Sequence, residues 1–240
     1  MYLHLAPLIA QTNKDLVHLN PHNLGLNVTL TSVVVYASTF SVLAPLILGF
    51  YSRNWPNRVS RLLILLCVAS IISDIISLIL TSKRINNWPV GNLYLLVQFV
   101  ILFKVVNDGT NKLFNAAFVI CLCFSSFDFL VLETPTVFNS FSAYANGILM
   151  IILSLSFLRT VMIEMPVERV QSLPMFWVSF GVLLYYGGNV FLFLFNNYLI
   201  EHLPYNYKVV WMLHNTLNIF KNLFLFLGLW SNFRNRISQQ

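Results

Sequence analysis

Residues 62–81 read LLILLCVASIISDIISLILT, twenty residues in a row with a single ionisable group, Asp74, near the middle. An α-helix rises about 1.5 Å per residue, so this run crosses the roughly 30 Å hydrocarbon core of a bilayer. Working outward, six more runs of the same kind fill the chain. The spans read as Val28–Phe50, Leu62–Thr81, Val90–Asn107, Lys112–Leu132, Ser140–Ile163, Met175–Asn196 and Lys208–Trp230. Lipid offers no partner to an open amide, so each span must close its backbone hydrogen bonds internally, as a helix. With 58% hydrophobic and 9% charged residues and a mean hydropathy of +0.73, the chain has no polar surface to spare for a soluble domain. The expected fold is all-α, a polytopic membrane protein built as one up-and-down seven-transmembrane-helix bundle. Residues 1–27 read as an outside N-terminal segment, 28–232 as the transmembrane domain and 233–240 as a short cytoplasmic tail.

Orientation is read from basic residues in short loops. Arg53, Arg58 and Arg61 in the first loop, Arg234 and Arg236 in the tail, and Lys104, Lys112, Arg159 and Arg169 all fall on one side. The opposite side holds Lys14, Lys83, Arg84 and Lys208, offset by Asp15, Glu133 and Glu201. The bias favours an outside N-terminus and a cytoplasmic C-terminus, with Lys83 and Arg84 counting against it. The net charge of +6 is then membrane topology, and no soluble face gathers it for nucleic acid. The start, MYLHLAPLIA, lacks a basic leader and a cleavage site and is not read as a signal peptide. Cys67, Cys121 and Cys123 lie inside spans and read as free thiols. Asn27-Val28-Thr29 matches a glycosylation sequon but touches the membrane edge. Pro45 and the pair Gly187-Gly188 are candidate bends or close-packing points.

Polar groups are expensive in hydrocarbon, so their placement is the main functional signal. Ser70, Ser73, Asp74 and Ser77 recur at i, i+3, i+4 and i+7, one face of a helix. In the last span His214, Asn218, Lys221 and Asn222 share a face that must look into the bundle. Lys221 and Asp74 sit at nearly the same depth, each roughly 15 Å from the cytoplasmic end of its span counted along the helix. A buried Asp74–Lys221 pair is therefore expected, a neutral lysine being the alternative. Tyr94, Gln98, Asn146, Tyr186, Asn189, His214 and Asn218 fall in the outer half. If their faces converge they line an outward-opening cavity suited to a small ligand. A hydrogen-bond network that only fixes packing is the competing reading.

Enzyme signatures are missing. The five histidines form neither a clustered di-metal pattern nor paired haem ligands, and no serine sits in a nucleophile elbow. No catalytic residue, metal or cofactor is expected.

The strings WMLHNTLNIFKNLFLFLGLW (211–230), PMFWVSFGVLLYYGGNVFLFLFNN (174–197) and NNWPVGNLYLLVQF (86–99) resemble uncharacterised seven-helix membrane proteins of Gram-negative bacteria, sometimes associated with sensor histidine kinases. That resemblance covers the chain from the second span onward and implies a bacterial inner-membrane protein with a link to signalling. The position of Gln98 is often acidic in that group, and the departure counts against a proton-linked role there. The expected function is a receptor-like or accessory signalling protein that passes a signal to a separate membrane-bound partner, since no output domain is expected in the chain. Seven helices with a deep lysine in the last also resemble the microbial rhodopsins, which would make Lys221 the anchor for retinal. RINNW (84–88) is similar to that family's Arg-x-x-Asp-Trp string. It falls too early in the third helix, however, and Leu217 stands where an aspartate would be expected. A small transporter or a structural subunit is the remaining alternative, and no inverted repeat supports the former.

Overall fold

The computed structural model describes residues 21–51, 57–107, 109, 111–164, 169–202 and 204–237, with side chains described from Leu30 in the first helix and over 210–235 in the last. Several sequence readings lie outside the described residues or side chains: the segment 1–20, the sequon, Arg53, Lys208 and Arg236.

The helices are α1 (Pro21–Ser41), α2 (Leu43–Tyr51), α3 (Arg58–Ser82), α4 (Trp88–Val106), α5 (Lys112–Phe127), α6 (Ser140–Glu164), α7 (Pro174–His202) and α8 (Pro204–Ile237). α1 and α2 form the first span, broken at Val42. Pro45 has no amide hydrogen to offer the Ser41 carbonyl, which is why the break falls there. Among the described residues six spans are long and apolar enough to cross a membrane. The 34-residue α8 is the seventh long helix, less apolar because it carries the polar face described below. The chain is thus an all-helical, polytopic membrane protein.

Local chemistry sets the helix ends. Asn57 Oδ1 accepts from Val59 N at 2.9 Å, and Asn111 Oδ1 accepts from Leu113 N and Phe114 N, so both asparagines cap first turns. α3 stops in a left-handed residue, Arg84, at φ 56°. Its N–H bonds the Thr81 carbonyl, and that of Ile85 reaches back to Leu80 at 2.9 Å. This paired closure satisfies carbonyls that the helix end leaves open. α5 ends in a wider turn over Asp128–Leu132, where Glu133 N bonds the carbonyl five residues back.

α8 is the hub of the bundle, packing on α7, α1 and α2; α7 also packs on α6, while α4 bridges α3, α6 and α7. α5 lies outermost, against α6 and the face of α4 that carries Phe103, whose ring stacks on Phe118 at 4.1 Å. Cross-contacts show the alternation of the helices. At one end Asn92 Nδ2 donates to Val137 O and Asn197 Nδ2 to Phe138 O. Phe138, buried and packed edge-on to Trp88 and Trp211, plugs that end. At the other end Asn232 Nδ2 donates to Ser60 Oγ and Ser231 Oγ to Ser172 O.

The α7–α8 seam is tight because of glycine. A Cβ on Gly188 would lie 2.5 Å from Leu217 Cδ1, and one on Gly228 would lie 2.8 Å from Val178 Cγ2 and 3.1 Å from the Pro174 carbonyl. Gly188 therefore serves close packing, and the Gly187-Gly188 pair lies within one continuous helix rather than at a bend.

Candidate functional site

The polar face of α8 turns inward, as its cost in lipid requires. Lys221 is 2% exposed. Its Nζ donates to Gln98 Oε1 of α4 at 2.8 Å and lies 4.5 Å from the centre of the Tyr185 ring of α7. Gln98 is a junction: its Oε1 also accepts from Tyr94 Oη at 3.0 Å, and its Nε2 donates to Tyr186 Oη at 3.4 Å. Two turns back along α8, His214 Nδ1 meets Asn189 Oδ1 at 2.9 Å. Asn189 Nδ2 is already committed to Tyr185 O, so its oxygen can only accept and Nδ1 carries the proton. Trp211 and Tyr185 close edge-on around the imidazole.

The direct Asp74–Lys221 pair expected from depth does not form. No ion pair joins them among the described residues, and the ammonium turns to an amide oxygen and an aromatic face instead. Depth along a helix was legible; the direction around it was not. Asp74 lies on the wall of a cavity of about 60 Å³ between α1, α3, α4 and α8, together with Ser38, Ser73, Tyr94, His214, Asn218 and, from α7, Tyr185.

Of the seven ligand-site residues read from the sequence, six gather here. Tyr94, Gln98 and Tyr186 join Lys221, Asn189 joins His214, and Asn218 reaches α1. Asn146 is separate. It exchanges hydrogen bonds with Ser125 of α5 and faces another cavity of about 220 Å³ on the far side of α4. Sequence reading passed over Ser38 and Ser41 of α1, whose hydroxyls accept from Asn218 Nδ2 at 2.9 Å and Asn222 Nδ2 at 2.7 Å. Their signal was the spacing of three, which puts both on one helix face.

Near the Phe138 plug two carboxylates serve the start of α6. Asp128, fully buried, accepts from Ser142 N at 2.9 Å, and Glu133 accepts from Phe141 N at 3.1 Å and from Asn197 at 2.9 Å. Negative charge favours that helix end. Burial still pushes the Glu133 carboxyl above its ordinary range, and Asp128 nearby adds to it, while the Phe141 amide works against both.

A larger cavity, about 630 Å³, opens at the opposite end, between α3, α6, α7 and α8. Its floor is apolar (Leu63, Val178, Leu229) and its rim carries Asn57, Thr160, Glu164 and Asn232.

Retinal does not fit the residues present. Lys221 Nζ is enclosed by Gln98 and Tyr185, and the 60 Å³ beside that layer falls far below the roughly 300 Å³ at which sites for such molecules begin. The large cavity does not include Lys221 in its wall. Among the described residues no group of three or more His, Cys, Asp or Glu is placed to hold a metal ion. Compared with known proteins, the chain matches no family model, no curated protein and no solved structure.

Proposed function

We propose that this chain is a receptor-like component of a bacterial cytoplasmic membrane, passing a signal from its polar core to a separate partner protein. The carrying observation is the burial of one ammonium, Lys221, at the joint of α4, α7 and α8, held by a network of neutral groups. An ionisable group at that depth is costly and points to function. A transport path is less well supported, because buried Leu66, Phe99, Leu102 and Leu225 pack between the Lys221 layer and the large cavity. The resemblance to seven-helix proteins found beside sensor kinases favours the same class.

Charge supports an outside N-terminus and a cytoplasmic C-terminus. Arg58, Arg61, Lys104, Arg159, Arg169 and Arg234 gather at the end with the large cavity, whereas Lys83 and Arg84 at the other end are offset by Glu133 and Glu201. The partner then meets the cavity from the cytoplasm, where α3, α6 and α8 present their ends.

Photocrosslinkers placed at Thr160 and Asn232 in native membranes test this. One partner protein should be captured, with a yield that changes in Lys221→Met. Capture of lipid alone, or of a second copy alone, would replace signalling by a structural role. Cysteine labelling of intact cells should reach Glu201 and spare Arg234; the reverse pattern overturns the orientation.

A further inference from the structure

The cavity beside Asp74 has an unusual chemical bias, which concerns a different place from the partner surface. Its walls come from α1, α3, α4 and α8, with Tyr185 added from α7, and the donor groups on them are mostly turned elsewhere. Asn215 Nδ2 is spent on Trp211 O, and Asn218 Nδ2 on Ser38 Oγ. Thr39 Oγ1 gives its proton to Val35 O, and Tyr94 Oη gives its own to Gln98. His214 has its proton on Nδ1, toward Asn189, which leaves the neutral ring with an acceptor nitrogen. What remains for the cavity is acceptors: the amide oxygens of Asn215 and Asn218, the lone pairs of the hydroxyls, and the Asp74 carboxylate. None of the hydrogen bonds or ion pairs among the described residues takes that carboxylate or the hydroxyls of Ser73 and Ser77.

A pocket of oxygen acceptors around one negative charge, inside a membrane-spanning bundle, calls for a guest that is positive and needs no acceptor of its own. Lys221 is not that guest, since its ammonium is committed to Gln98 and Tyr185. From this geometry we infer that the Asp74 cavity is a binding site for a small hard monovalent cation, with sodium the ion that fits. Hard oxygen donors select a hard ion over a transition metal. A single carboxylate suits one positive charge, whereas dication sites usually gather several. The volume, about 60 Å³, holds about two water molecules. The ion therefore sheds most of its hydration shell, and the hydroxyls of Ser73 and Ser77 replace it. Bound there, it would tie α3 to α1 and α8, which α3 otherwise barely touches among the described residues.

The test is thermal unfolding of the purified full chain in nanodiscs, titrated with sodium chloride against choline chloride at matched ionic strength. The midpoint should rise saturably with sodium and stay level with choline. In Asp74→Asn the sodium response should vanish. Ser73→Ala, which removes a hydroxyl engaged in no described bond, should raise the half-saturating sodium concentration severalfold while leaving the sodium-free midpoint nearly unchanged. This second variant keeps the test decisive if the first fails to fold. Equal shifts with both salts, a sodium response that survives Asp74→Asn, or an unaltered half-saturation in Ser73→Ala would each overturn the site.

Discussion

Lys221 and Asp74 are both ionisable groups inside the spanning region, and the two sides of the bundle treat them in opposite ways. Around Lys221, α4, α7 and α8 are packed without space. The ammonium has an amide oxygen at 2.8 Å and a ring face at 4.5 Å. Around Asp74, α1 and α3 stand apart, and the carboxylate borders a polar cavity. A dry seam makes each polar group depend on one named neighbour, because an unpaired group there suffers the full loss of solvation. A cavity relaxes that dependence, since water or an ion can take the place of a missing side chain.

The comparison breaks most visibly at Gln98. Gln98→Leu removes the one hydrogen-bond acceptor that Lys221 has among the described residues, leaving a buried charge uncompensated at a cost on the order of 3–5 kcal/mol. Lys221→Met keeps the volume and leaves Gln98 bonded to Tyr94 and Tyr186, so it should cost less than about 1.5 kcal/mol. Denaturation in mixed micelles measures both, and equal losses would mean that the lysine leans on another group. Next in size, Gly228→Ala forces a methyl onto Val178 and the Pro174 carbonyl and should cost about 1–3 kcal/mol. Gly187→Ala, beside Gly188 in the chain but off the seam, meets nothing within 4 Å. It should be neutral or gain up to about 1 kcal/mol from helix preference. Similar melts for these two variants would contradict the tightness of the seam.

A double-mutant cycle with Asp74→Asn and Lys221→Met sharpens the contrast further. Coupling should stay below about 1 kcal/mol, because the groups do not touch, whereas direct neighbours couple by as much as about 3 kcal/mol. The smallest expected effect is none at all: adding retinal to the purified protein should give no visible absorption band. A band that Lys221→Ala abolishes would show that the dry side opens.

Periodicity explains what could be read beforehand. Residues 62–81 and their six counterparts carry their own evidence of span length, and the inward face of α8 follows from four polar residues at helical spacing. Partner choice does not follow. Asp74 and Lys221 share a depth, but which helix each faces depends on how α3 and α8 are rotated about their axes. That rotation is fixed by distant packing, such as Leu217 against Gly188. Asn146 was grouped by depth for the same reason and lies across α4 from the rest. The wide turn at Asp128–Leu132 left no composition signal, since it is an effect of backbone register closing on the start of α6.

α8 runs unbroken for 34 residues, about 51 Å at 1.5 Å per residue. That exceeds the roughly 30 Å of hydrocarbon by about 20 Å, so the rod projects past the bilayer. Lys221 falls at its middle. Near its middle the helix is held by Gln98 of α4 and by Ser38 and Ser41 of α1. A tilt of about 5° about that point would carry each tip about 2 Å sideways in opposite directions. In the signalling role proposed above, such a tilt would be felt at both faces of the membrane at once.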